Sequence, residues 1–480
     1  MAADGVRASL FIGGCWRRPE GDGTREVVNP ASGEVLARPG YGGRADAEAA
    51  ADAAAAAFGA WARTPARGRS DLLAGAAERL AGRAEPIGRL LSRETGKRVP
   101  EAVAEVRFAA EYFRWFAEEA RRPDGALIPN EQPRRRHLTM TRPPGVAVSL
   151  TPWNFPISIQ ARKLAPALAA GCTVVARPSD KAPLAVIELF RCLEEAGLPP
   201  GVANLVHGPA AEITAALLDH PAVRVASFTG STEVGRQVMR QAAGRVVRPL
   251  LELGGDAPFI VCRDADLERA VEGAMVAKFR NNGQSCIAAN RFLVHEQVCE
   301  EFAARLAAKV DAMTVGDPAA EPDPDLGPMI DRDRKQAVEA LVEEALAAGA
   351  RPATRQRPVP DGGSYAAPML LTGVPEHTGL ARQEVFGPVA GIFPFRTEAE
   401  ALERANATEM GLAAYLYTSD LTAAWTMTEG LEAGIVGLNN ALPSVAYAPM
   451  GGMKQSGLGR EGARAGLEEF TEVTYLSLEL

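Results

Sequence analysis

Three residue types at three separated places can together do chemistry on a carbonyl carbon. Cys286 stands in the polar loop Asn281-Asn282-Gly283-Gln284-Ser285-Cys286, between a helical run before it and a β-like run at 291–295. Glycine lets such a loop turn tightly, and amides beside a sulfur can face an oxygen that becomes negative during reaction. A thiolate there is a covalent nucleophile, although a cysteine taken alone is more often a small buried apolar side chain. Glu252, in Leu251-Glu252-Leu253-Gly254-Gly255, is flanked by leucines. Strand carboxylates usually belong to a solvated face or an ion pair; one that faces inward loses water, binds its proton more tightly and can act as a general base. Asn154 offers an uncharged amide donor that can hold an oxyanion without protonating it, or else it is the turn residue before Phe155-Pro156.

Bringing these distant groups together requires a scaffold of loops on rigid elements. Residues 44–122 read as helical, with Ser70 as an N-cap, Pro86 in a first turn, Gly96 after a helix end, and Phe113 and Phe116 in the core. From 146 onward strands at 146–150, 173–176, 203–206 and 223–228 alternate with helices at 157–170, at 184–196 and from 232. That alternation predicts an α/β fold with a parallel sheet covered by helices, in which ligands sit at the carboxyl ends of strands. Three polar or glycine-bearing loops fall at those ends: Thr151-Pro152-Trp153-Asn154, Arg177-Pro178-Ser179-Asp180 and Thr229-Gly230-Ser231-Thr232. They predict a dinucleotide site.

A second α/β unit is expected from 250 to 440, with strands at 259–261 and 291–295 and helices at 266–279, 297–313 and 331–348. The Pro-rich stretch 123–145 carries Arg134-Arg135-Arg136-His137 and reads as a solvated hairpin or a subunit contact. The β-rich tail 469–478 is expected to pair with it or with another subunit. Gly457-Leu458-Gly459-Arg460-Glu461-Gly462 satisfies GxGxxG, but no strand precedes it and no βαβ unit follows, so it reads as a backbone turn.

Bulk properties narrow the class. At 480 residues the chain exceeds one ordinary core, and 47% hydrophobic with 23% charged residues is a globular composition. A net charge of −8 argues against general binding of nucleic acid or anionic membrane. No secretory signal and no transmembrane helix are expected. Six cysteines without a CxxC pair fit a reducing cytoplasm, and the histidine spacing predicts no metal site.

Six ordered motifs make the chain resemble the aldehyde dehydrogenases: Trp153-Asn154-Phe155-Pro156, Phe228-Thr229-Gly230-Ser231, Glu252-Leu253-Gly254-Gly255, Gly283-Gln284-Ser285-Cys286, Glu384-Val385-Phe386-Gly387-Pro388 and Pro449-Met450-Gly451-Gly452-Met453-Lys454-Gln455-Ser456-Gly457. The likeness spans essentially the whole chain. It implies a Rossmann-like cofactor domain (1–122 and 146–249, with 441–465 returning to it), a catalytic domain (250–440) and a small β oligomerisation domain (123–145 and 466–480) of a homodimer or homotetramer. It also implies that Cys286 attacks the aldehyde and that Asn154 and the Cys286 amide hold the oxyanion. Hydride then leaves for the nicotinamide, and Glu252 activates the water that hydrolyses the thioester. An ordinary cysteine, with pKa near 8.5, needs activation for this. Trp153, Arg177, Ser179, Asp180, Gly230, Ser231, Leu253, Glu384 and Phe386 match cofactor contacts.

Within that family, Arg162, Arg280 and Ser444 match positions that grip the distal carboxylate in succinate-semialdehyde dehydrogenases. Guanidinium forks suit that task, although single arginines are common in surface ion pairs. The expected substrate is a small anionic aldehyde, succinate semialdehyde first, with glutarate semialdehyde or a sulfonated or phosphonated aldehyde as alternatives. A CoA-acylating enzyme fits less well because Glu252 supplies a hydrolytic base, and a non-catalytic relative is opposed by the intact Cys286, Glu252 and Asn154. Four positions depart from the family pattern. Arg177 stands for the usual Lys, Asp180 for a Glu, Asp256 for an Asn, and Ala288 occupies a place where some relatives carry a second cysteine. A carboxylate at 180 favours NAD over NADP, subject to neutralisation by Arg177 and Lys181.

Overall fold

The strand–helix rhythm from Val146 onward becomes one sheet in the computed structural model, which describes residues 8–122, 124–320, 323–355 and 357–480. The first seven residues of the expected opening strands, and residue 123 at the head of the 123–145 segment, lie outside the described residues. From the central strand Val146–Leu150 the chain moves outward through Thr173–Arg177 to Ala203–Leu205. It then crosses back to lay Val223–Thr229 and Arg248–Glu252 on the other side, all five parallel. The order reverses between Val146–Leu150 and Val223–Thr229, and a crevice opens at the carboxyl ends of strands at such a reversal. Every residue of Val146–Leu150 and Thr173–Arg177 is buried, as expected of strands covered on both faces.

The expected start of the second unit at 250 falls inside Arg248–Glu252, which pairs with Val225 to Thr229 through Glu252. Glu252 is therefore the last residue of that strand, and the glycine pair that follows carries the chain to the second sheet. That sheet is centred on Ala257–Val261. Ala289–His295, Val389–Phe395 and Met369–Thr372 lie on one side, and Ala413–Tyr417 and Ile435–Leu438 on the other, all parallel.

Four helices, Arg44–Ala62, Ala66–Gly82, Ala84–Thr95 and Val99–Glu119, fill the region read as helical. Ser70 is not an N-cap. It lies inside Ala66–Gly82, one turn before Leu73 on the buried stripe, because the helix already starts after Pro65. Gly96 ends its helix in the left-handed region at φ 76°, and Phe113 and Phe116 are fully buried. Two carboxylates from this layer fix helices of the first sheet. Glu94 accepts the Leu184 and Ala185 amides at 2.8 and 2.9 Å, and Glu105 accepts those of Ile157 and Ser158 at 3.2 Å each. Each carboxyl group supplies acceptors for amides that have no partner at a helix N-terminus.

The tail Glu472–Glu479 pairs along its whole length with Arg135–Arg142, whose other edge takes Ala126–Ile128. Of the two pairings expected for the tail, the one within its own chain is formed. The run expected to be a turn instead opens as a strand: Gly457–Leu458 follows a turn at 455–456 and forms an antiparallel edge beside Leu251 and Glu252, because a backbone partner is available there. Among the described residues no helix is long and apolar enough to cross a membrane.

Candidate active site

The loop before Cys286 is conformationally costly and held by polar contacts on every side. Asn281, Asn282 and Gly283 have φ of 55°, 57° and 73°, a run of left-handed residues that side chains other than Gly and Asn resist. Asn281 Nδ2 donates to the carbonyls of Asn154 (2.9 Å) and Gln284 (3.0 Å), while its amide donates to Glu101 at 3.0 Å. Asn282 Nδ2 donates to Gly96 O and Pro328 O, its Oδ1 accepts from Gly327 N, and Gln284 Oε1 accepts from Ile330 N at 2.9 Å. A Cβ on Gly255 would stand 2.2 Å from the Cys286 carbonyl oxygen, so the turn after Glu252 presses directly on the cysteine loop.

Asn154 joins the same knot. Its Nδ2 donates to Gln284 O at 3.1 Å, two residues before the sulfur, and its carbonyl accepts from Lys97 Nζ at 2.8 Å. Cys286 is partly exposed on the wall of a cavity of about 710 Å³. Burial, then the charges of Glu384 and Glu252, push its thiol up to about 12, against Arg162 and its own backbone amide. Glu252 is 3% exposed, and neither of its carboxylate oxygens has a hydrogen-bond partner. Burial first, then Glu461, raise it to about 8, against Lys163, Arg162 and Arg460. The charge of Glu252 reaches the Cys286 thiol, and a carboxylate raised this far can take a proton near neutral pH.

Arg162, Arg280 and Ser444 line the cavity that holds Cys286. Phe108, Phe155, Ile159, Ile287 and Val445 supply apolar wall between them. Arg162 lies over the Tyr112 ring at 5.2 Å with Nη1 3.7 Å from Glu461 Oε2, and Arg280 lies over Phe155 at 5.3 Å. The cavity thus has a sulfur, an apolar middle and cationic positions, the layout of a pocket for a short chain with a charged far end.

On the other side, the loops expected to bind a dinucleotide gather at the strand ends. Ser231 caps the helix Thr232–Ala243 through Val234 N (3.3 Å), and Gly230 N donates to Glu252 O at 3.1 Å. Gly235 packs so closely on Leu253 that a Cβ would meet Leu253 Cδ2 at 2.4 Å. Glu384 accepts from Gly255 N at 3.2 Å and is raised to about 7 by burial, against that amide and Arg334. Phe386, at φ 48°, sets its ring edge-on to Trp153 at 5.5 Å. Ser179 Oγ accepts from Lys181 N at 3.3 Å. Arg177 is ion-paired with Asp180 and donates to Gly208 O at 2.7 Å, and Asp180 accepts from Tyr41 Oη at 3.0 Å. Lys181 pairs instead with Asp331, so of the two cations expected to offset Asp180 only Arg177 contacts it. Asp256, the departure in the strand turn, pairs with Arg291 Nε at 3.0 Å. A helix N-terminus, close glycine packing and a carboxylate at the strand ends suit a dinucleotide, with amides for phosphate and Glu384 for a ribose.

Several residues of this site were not singled out in the sequence. Lys97 and Glu105 form a buried ion pair behind Asn154. Lys163 and Glu461 form another, and Lys163 also donates to Ser227 Oγ at 2.9 Å. The sequence carries a signal for Lys163: two adjacent cations, Arg162-Lys163, the one charged pair inside the buried Pro156–Ala170. Glu461 lies within the GxGxxG run, where no neighbouring residue marks its pairing with Lys163.

Comparison with known proteins follows this geometry. Residues 16–476 match the model of the aldehyde dehydrogenase family. The chain is 41% identical to a glutarate-semialdehyde dehydrogenase of Pseudomonas putida, over 99% of this chain and 98% of the relative. It is 44% identical to a 3-sulfolactaldehyde dehydrogenase of Pseudomonas putida, over 98% and 97%. The crystal structure of a succinate-semialdehyde dehydrogenase from Burkholderia pseudomallei superposes with a TM-score of 0.97 at 42% identity, covering 99% of this chain and 98% of that one.

Proposed function

This chain belongs to the aldehyde dehydrogenase family, and on that premise we propose that it oxidises a small aldehyde with a distal anionic group to the carboxylate, succinate semialdehyde first. The observation that carries this reading is the presence of Arg162, Arg280 and Ser444 on the wall of the cavity that holds Cys286. Two guanidinium groups offer an anion charge-assisted bonds that a neutral aldehyde cannot use.

Cys286 Sγ, its proton released to water, forms a bond to the aldehyde carbon, and the carbonyl electron pair moves to oxygen. That oxygen takes donors from Asn154 Nδ2 and the Cys286 amide, which do not give up a proton. Loss of a hydride from the thiohemiacetal leaves a thioester on Cys286, and a nicotinamide dinucleotide, when bound, would supply the acceptor for that hydride. Glu252 then removes a proton from water as its oxygen adds to the thioester carbon, and the C–S bond breaks to return the thiolate and release the carboxylate. Trp153, Ser179, Asp180, Gly230, Ser231, Leu253, Glu384 and Phe386 would hold the dinucleotide. Asp180 favours NAD by accepting from a ribose hydroxyl, although its pairing with Arg177 softens the bar against NADP.

The first sheet with its helices serves in this reading as cofactor domain and the second as catalytic domain. The three-stranded sheet, with Leu127, Val473 and Tyr475 at 70%, 69% and 57% exposure, joins subunits of a homodimer or homotetramer. Six free thiols fit the cytoplasm. Glutarate semialdehyde and a sulfonated aldehyde are the next readings, since relatives named for them are as similar and the same forks accept either anion. The test is kcat/KM for succinate semialdehyde, glutarate semialdehyde, 3-sulfolactaldehyde and butanal, each with NAD and NADP. An anionic aldehyde should exceed butanal by on the order of a hundredfold, the scale of charged hydrogen bonds. Parity with butanal would overturn the reading.

A further inference from the structure

Arg162 has a second set of neighbours besides the cavity. It and Lys163 are consecutive on the buried helix Pro156–Ala170 and point to different sides of it. Arg162 lines the cavity and stands 3.7 Å from one oxygen of Glu461. Lys163 pairs with the other oxygen and donates to Ser227 Oγ. Ser227 lies opposite Leu250, and Thr229 opposite Glu252, in the parallel pairing of their strands. The Lys163–Ser227 contact is therefore one pleat repeat along and one strand across, roughly 8 Å, from the Glu252 position on the same face of the sheet. Glu252 has no hydrogen-bond partner of its own, so this neighbourhood acts on it through charge alone.

Resting on the anionic-aldehyde reading, we infer that Arg162 couples the far end of the substrate to the hydrolytic base. An anion held by Arg162 cancels one positive charge in the cluster around Glu252, so the substrate strengthens the base that later hydrolyses its own thioester. The sign follows from the cluster. Arg162, Lys163, Glu461 and an ionised Glu252 together are neutral, whereas with an anion added the neutral arrangement has Glu252 protonated. The other charged and titratable groups facing this region are Arg460, Cys286, Glu384 and Tyr112, and burial holds Tyr112 in its protonated form. Arg162 opposes the rise that brings Glu252 to about 8, so cancelling its charge moves Glu252 higher. Hydrolysis requires the ionised base, and its rising limb with pH then lies higher for an anionic aldehyde than for a neutral one.

The test is single turnover with enzyme in excess, following carboxylate release after NADH formation across pH, with succinate semialdehyde and with butanal. The limb for succinate semialdehyde should lie higher by roughly one pH unit, the effect of one charge at an effective dielectric near 20. Arg162→Met assayed with butanal should move the limb the same way, because it removes the same charge. If that variant does not fold, the wild-type pair decides alone. Coincident limbs, or a lower limb for succinate semialdehyde, with the preference for anionic aldehydes intact, would overturn this inference alone. Loss of that preference would overturn the proposed function as well.

Discussion

Glu105 and Glu252 are both carboxylates almost wholly withdrawn from water, at 5% and 3% exposure, and the fold treats them in opposite ways. Glu105 is paired with Lys97 and accepts from the Ile157 amide and from the amide and hydroxyl of Ser158. Glu252 accepts from nothing. A saturated buried carboxylate fixes a helix and, through Lys97, the backbone of Asn154. An unsatisfied one is unfavourable for the fold and is retained where proton transfer uses it. Framework and chemistry are thus distinguished by where hydrogen bonds are left unmade, not by residue type.

The contrast breaks at its root if the Cys286 sulfur is not the reactive group. Cys286→Ala should lower NADH production by roughly 10⁴-fold or more, the scale seen when a covalent nucleophile is removed, with the unfolding midpoint nearly unchanged. Retained turnover would remove the reason for leaving Glu252 unpaired. A smaller effect separates the two carboxylates directly by chemical denaturation. Lys97→Met strands Glu105 and should cost about 3 to 5 kcal/mol of stability, whereas Glu252→Gln should be nearly neutral because it exchanges one buried group without hydrogen-bond partners for another of similar shape. Equal losses would mean that both carboxylates are framework. The smallest effect concerns the cavity rim. Arg280→Ala should raise KM for succinate semialdehyde about tenfold and leave butanal unchanged, since one charged contact is lost. The same change for both aldehydes would make Arg280 a wall residue.

Much of this was legible in the sequence because it is written in local patterns. The strands and helices from Val146 to Ala243 fall within a residue or two of where alternation predicts them, since fully buried parallel strands read as short apolar runs. Glu252 was legible because a carboxylate between leucines is anomalous in any fold. The Ser70 cap failed because capping residues are also tolerated inside helices, and only the start after Pro65 decides. Lys97, Glu105, Lys163 and Glu461 were illegible for a different reason. Their meaning is a pairing across 8 residues in one case and 298 in the other, which no local pattern encodes. The strand Arg248–Glu252 straddles the expected boundary at 250 for the same reason, because strand membership is set by a partner, Val223–Thr229.

The most direct test of the distinction between a saturated and an unsatisfied carboxylate is rapid-mixing kinetics of Glu252→Gln with saturating succinate semialdehyde and NAD. The variant should give a burst of NADH equal to the enzyme subunits and then a steady rate lower by roughly 10²- to 10⁴-fold, because the thioester forms without the base and is hydrolysed slowly without it. A steady rate equal to the wild type would contradict it.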